Sequence, residues 1–115
     1  MAIPSGSGTE VLKRHYIHGN SGAWTALLTG VANHIYTVLS VAACEQTGTA
    51  ESIYMRVDIS ASGTAIYLVD ETLPAVGTFV WNDKFVFYGG DVLKFYAGSA
   101  GIIDVTVSYI VQDWS

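Results

Sequence analysis

Two stretches of this chain alternate with a period of two, and that periodicity decides most of what the chain can become. In Ser52-Ile53-Tyr54-Met55-Arg56-Val57-Asp58-Ile59-Ser60 the odd positions are all apolar, and the even ones are Ser, Tyr, Arg, Asp and Ser. Ile103, Val105, Val107, Tyr109 and Val111 repeat the pattern against Asp104, Thr106 and Ser108. Successive side chains of a strand point to opposite faces, so each stretch predicts a strand with one buried and one wet face. Further strands are expected at Val11–His18, Trp24–Leu28, His34–Cys44, Thr64–Val69, Thr78–Trp81, Lys84–Tyr88 and Val92–Ala97, all rich in β-branched or aromatic residues. Turn residues separate them: Gly19-Asn20-Ser21-Gly22, Ser62-Gly63, Asn82-Asp83, Gly89-Gly90-Asp91 and Gly98-Ser99-Ala100-Gly101. Short strands at this spacing predict an all-β chain folded as a single antiparallel β-sandwich, jelly-roll-like, or as a small barrel.

A chain of 115 residues predicts one domain. Residues 1–9, dominated by Pro, Gly and Ser, read as an extended N-terminal arm, and residues 10–115 as the sandwich. The charged fraction is 13%, about half the ~25% usual for a soluble domain. Five basic against ten acidic residues leave a net charge of −5. Binding to phosphate needs clustered lysines and arginines, so neither nucleic acid nor an anionic membrane is an expected partner. The start of the chain has neither a basic segment nor an apolar run of the export type, and a soluble protein without an export signal is expected. Cys44 is the single cysteine, so no disulfide within the chain is possible.

His15 and His18 are three apart, which on a strand turns them to opposite faces, so no metal is expected there or with His34 and Cys44. Cys44 ends the apolar run Val41-Ala42-Ala43 and is expected to be a buried, inert thiol. No serine sits in a G-x-S-x-G turn, and Gly89-Gly90-Asp91 lacks the lysine and helix of a phosphate loop. Asp70, Glu71 and Asp83 lie at predicted strand ends, while Glu51 and Asp58 are expected to face solvent. Nothing in the sequence sets the carboxylate spacing a glycosidase needs. No catalytic residue and no cofactor is expected.

Aromatic residues are the remaining signal. Trp24, Trp81 and Trp114, with Tyr36, Tyr54, Tyr88 and Tyr96, suit either core packing or a platform that stacks sugars. Tyr54 falls on the wet side of its strand, and Trp114 is the penultimate residue, so both are candidate interface anchors. Lys13-Arg14, the only adjacent basic pair, is a candidate contact for an acidic surface, or simply a solvated strand start.

The opening Ala2-Ile3-Pro4-Ser5-Gly6-Ser7-Gly8-Thr9-Glu10-Val11-Leu12-Lys13-Arg14, the central Phe79-Val80-Trp81-Asn82-Asp83-Lys84-Phe85 and the ending Ser108-Tyr109-Ile110-Val111-Gln112-Asp113-Trp114-Ser115 resemble small structural proteins of tailed bacteriophages of marine and freshwater type, cyanophages included. The resemblance implies a virion protein that decorates, or cements, the outer surface of the capsid. It would be made in the host bacterial cytoplasm and seated as a homotrimer at local three-fold axes of the major capsid protein lattice. The arm with Ile3 and Pro4, together with Lys13 and Arg14, would touch the capsid or a sister subunit, and Trp114 with the C-terminal segment would pack at the subunit interface. The alternatives are a tail, neck or fibre component, or a glycan-binding attachment module using Trp24, Trp81 or Tyr54.

Overall fold

The structure, a computed structural model, describes residues 9–20, 22–98 and 102–113. They form nine strands: β1 (Thr9–Asn20), β2 (Ala23–Thr29), β3 (His34–Glu45), β4 (Glu51–Ile59), β5 (Thr64–Leu73), β6 (Thr78–Trp81), β7 (Phe85–Tyr88), β8 (Val92–Ala97) and β9 (Ile103–Asp113). All pairings are antiparallel. One sheet runs β1-β9-β3 and then β6 and β7, which share the far edge of β3. The other runs β2-β8-β4-β5. Apart from the β4–β5 and β6–β7 connections, every link crosses from one sheet to the other. With β6 and β7 taken as one interrupted strand, this is the eight-stranded order of a jelly roll. The two sheets remain separate layers, so the sandwich expected from the alternation is the form adopted.

The core lies between them. Val105, Val107, Val38, Val41 and Phe87 from the first sheet meet Ile53, Met55, Leu93 and Phe95 from the second, all nearly without solvent contact. Strand phase decides membership. Val38 and Val41 are both buried although three apart, because the β3–β9 register shifts between Val38 and Ser40, and a bulge of one residue resets which side chains point inward.

The same phase corrects two expectations. Glu51 shares the inward phase of Ile53, Met55 and Val57, and it is buried rather than solvent-facing. Cys44, between the buried Ala43 and Glu45, points to the outer side and is half-buried, with Sγ 3.7 Å from Thr78 Oγ1.

Each end of the sandwich is tied by a buried carboxylate. Glu45 accepts from the hydroxyl of Thr47 and from the backbone N–H groups of Thr47, Gly48 and Val76 at 2.8–2.9 Å. These bonds, the Thr47 hydroxyl foremost, hold its carboxyl down to about 2 against the opposing effect of desolvation. Asp91 accepts from Ser60 N and Tyr88 N. Nearby the β2–β3 and β7–β8 connections touch backbone to backbone. A Cβ on Gly89 would strike the Val31 carbonyl, and one on Gly30 would stand 2.6 Å from the Tyr88 carbonyl oxygen.

Candidate functional site

A sandwich buries two sheet faces and presents two to solvent, and here the two presented faces differ in chemistry. On the first sheet, the register places Leu12, Ile110, Thr37 and Val86 in one row and Tyr16, Thr106, Ala42 and Val80 in another. Glu10, Gln112, Ile35 and Tyr88 form a third row. Leu12 is 69% exposed, Tyr16 63%, Val80 56% and Val86 51%. Charge on this face is confined to its margins: Glu10 and Arg14 on the β1 edge, and His18 paired with Asp104 at 3.0 Å. The centre is uncharged, with the polar row Arg14, Ser108 and Ser40 running between the Leu12 and Tyr16 rows, and large apolar side chains left exposed on one such face mark an interaction site.

The outer face of the second sheet is built differently. Trp24 of β2 is opposite Tyr96 of β8, which is opposite Tyr54 of β4. The next row holds Ala26, Lys94 and Arg56, with Tyr67 of β5 opposite Arg56 across a register shift. Four rings gather in this way. Trp24 lies 5.4 Å from Tyr96, 6.0 Å from Tyr67 and 6.3 Å from Tyr54 between centroids, and Tyr54 lies 5.7 Å from Tyr96. Together with Glu51, Ser52 and Gly98 they line a shallow depression of about 600 Å³.

Arg56 organises this cluster. Its guanidinium carbon stands 4.1 Å over the Trp24 ring, and Nη1 donates to the Tyr67 hydroxyl at 3.2 Å. Arg56 Nε is 2.9 Å from Asp58 Oδ1, within ion-pair range although its N–H is not aimed at that oxygen. Lys94 Nζ is 2.9 Å from the other carboxylate oxygen. The Tyr67 hydroxyl, with the Asp58 charge adding to it, raises the Arg56 pKa; Lys94 first and then Arg56 lower that of Asp58. Two cations and one anion are thus locked together.

The remaining sequence candidates separate. Lys13 and Arg14 point to opposite sides of β1, Lys13 toward the seam between the sheets beside Tyr109, and Arg14 outward beside Ser108. Tyr54 joins the ring cluster. Ile3, Pro4 and Trp114 lie outside the described residues. Trp81 lies in the first sheet beside Phe85, away from Trp24, and Tyr36 is core, stacked on Phe87 at 4.8 Å. Tyr67, which the sequence reading passed over, supplies the fourth ring. Its signal was weak, because a register shift between Met55 and Arg56 moves it into the row. Among the described residues no three His, Cys, Asp or Glu side chains group as metal ligands.

No family model matches the sequence, and no curated protein matches it. Solved structures do. A chain from the Bacillus endospore appendages, described as a novel family of disulfide-linked pili, matches with a TM-score of 0.58 at 15% identity, over 100% of this chain and 97% of that one. A chain of infectious bursal disease virus, Gx strain, matches with a TM-score of 0.51 at 12% identity. That match covers 98% of this chain but 32% of the viral one, so this protein spans about a third of that chain's length. At such identities the likeness is one of fold: the chain is an all-β sandwich of a kind found in a pilus and in a virus.

Proposed function

We propose that this protein is a structural subunit of a virion, decorating the outer surface of the capsid as a homotrimer seated on the major capsid protein. The observation that carries the reading is the uncharged outer face of the first sheet, with Leu12, Tyr16, Val80 and Val86 more than half exposed in the single chain. A monomer rarely leaves so many large apolar side chains exposed on one sheet face, whereas a subunit covers them against a neighbour. The fold likeness to a viral chain supports the reading, and the sequence resemblance to small phage structural proteins points to the shell. The pilus likeness is less favoured. Disulfide linkage along a polymer needs two cysteines per subunit, and these 115 residues carry one.

Cementing is then mass action. A protein that binds the assembled lattice and not the free capsomer stabilises the lattice by the free energy of its binding. Three linked footprints hold far longer than one. The test is the native mass by light scattering, followed by addition to undecorated capsids and imaging. A mass near three times 12.3 kDa and density over the shell at three-fold positions are expected. Density confined to the tail or neck, or no binding to shells, would overturn the decoration role.

A further inference from the structure

We infer that the ring-lined depression on the second sheet is a binding site for a neutral saccharide, whose pyranose ring packs among Trp24, Tyr54 and Tyr96. This site is on the opposite side of the sandwich from the proposed assembly face, and the two inferences stand independently.

The rings are not core residues. Tyr54 alternates with the buried Ile53 and Met55, and Tyr96 with the buried Phe95 and Ala97, so both point away from the interior. Their spacing decides what they can hold. Centroids 5.4–6.3 Å apart mean rings in mutual contact, leaving no space between them for a caged ammonium group, and one face of Trp24 already carries Arg56. What remains is a group of rings inclined to one another by 39–50°, suited to a ligand that stacks a C–H face on one ring and packs its edges against the others. Around it are hydrogen-bonding groups: the Tyr54, Tyr67 and Tyr96 hydroxyls, Ser52, and the Glu51 carboxylate, which stands so close to Gly98 that a Cβ there would strike it. A pyranose presents that combination, an apolar face rimmed by hydroxyls.

Charge selects the neutral class. Arg56 and Lys94 are both engaged by Asp58, while Glu51 lines the depression and Asp70 is opposite Tyr54. The local balance is therefore negative, which opposes sulfated, phosphorylated or uronic sugars and polynucleotides alike. A depression of about 600 Å³ falls within the ~300–1,000 Å³ of small-ligand sites.

The experiment applies the full-length protein to an array of neutral and acidic glycans, then titrates the best neutral oligosaccharide by calorimetry. Binding to neutral glycans is expected, weakened about tenfold by Trp24→Ala and by Tyr67→Ala and unchanged by Tyr88→Ala, which removes an exposed aromatic from the other sheet. Tyr67 is 55% exposed, so its removal tests the site even where Trp24→Ala fails to fold. A silent array, preference for acidic glycans, or loss of binding with Tyr88→Ala alone would overturn the inference. So would a fall in native mass on Tyr67→Ala, since the platform would then be a contact between copies.

Discussion

Arg56 should hold the Trp24 ring in place, and a double-mutant cycle measures how strongly. The perturbations are Trp24→Leu, Arg56→Met and both together. Methionine keeps the apolar stem of Arg56 and removes the guanidinium. In the native protein that group is 4.1 Å from the Trp24 centroid and 5.8 Å from that of Tyr67, on a side chain only 22% exposed. A cation over an aromatic face contributes ~0.5–1 kcal/mol at an exposed site and ~2 kcal/mol or more when desolvated. A mostly covered contact therefore predicts a coupling of about 1 kcal/mol. Arg56→Met also removes one partner of Asp58, but that loss occurs in both arms of the cycle and cancels, and Lys94 remains 2.9 Å from the carboxylate. The assay is urea denaturation at one fixed protein concentration; in a domain of this size about 1 kcal/mol also moves the midpoint of thermal unfolding by about 4 °C. Single-variant effects that add to within ~0.3 kcal/mol would refute the ring contact as a source of stability.

Three further outcomes are expected. The Glu45 carboxyl lies at about 2 when folded against an ordinary 4.5, so its contribution is full above pH 4.5 and is lost as pH falls through about 2. Thermal scans from pH 7 to pH 2 should show Glu45→Gln less stable near neutrality but with a flatter acid decline, and parallel declines would remove Glu45 from the account. Gly89→Ala should destabilise by ~2 kcal/mol or more, because its Cβ meets the Val31 carbonyl and backbone yields little. Gly63→Ala, left-handed at φ +67 but in open space, should cost less, and chemical denaturation giving the reverse order would contradict the close backbone approach of the β2–β3 and β7–β8 connections. Val86→Lys, on the β7 edge of the uncharged face, should weaken self-association or shell binding about tenfold without unfolding the chain. Sedimentation showing unchanged assembly would clear this face of any role.

How much of this was legible beforehand follows from what period-two alternation encodes. It reports which residues share a face, and so Ile53, Met55, Val57, Val105 and Val107 were core from the outset. It does not report which strands pair. The order β1-β9-β3 joins residues from 58 to 104 positions apart, and only packing selects it. Residue chemistry also misled where phase did not. Glu51 lies in step with Ile53, and extending the alternation two residues back places it inward, but a carboxylate reads as a surface group. The ring cluster was half visible: Tyr54 and Tyr96 sit on polar phases, but bringing Trp24 beside them requires knowing that β8 separates β2 from β4. Tyr67 was hidden by the bulge opposite Met55 and Arg56, because one extra residue reverses every inward and outward assignment beyond it.

The division of labour between the two outer faces leads to a last expectation. A sandwich whose extents are 48 × 28 × 20 Å holds its sheets back to back, so a protein seated through Leu12, Val80 and Val86 turns Trp24 and Tyr54 away from its seat. Cementing and saccharide capture are then compatible in one small domain, since neither covers the other's residues. Many copies on one particle would also turn a weak single-site affinity into firm attachment, because each further contact with a glycan-bearing surface is intramolecular once the first is made. Decorated particles should therefore bind a neutral-glycan surface through Trp24, with per-chain affinity like that of the free protein and much slower release. Particles in which Trp24 becomes protected from oxidation on decoration, while Leu12 and Val86 tolerate charged substitutions, would show that the two faces had been assigned the wrong way round.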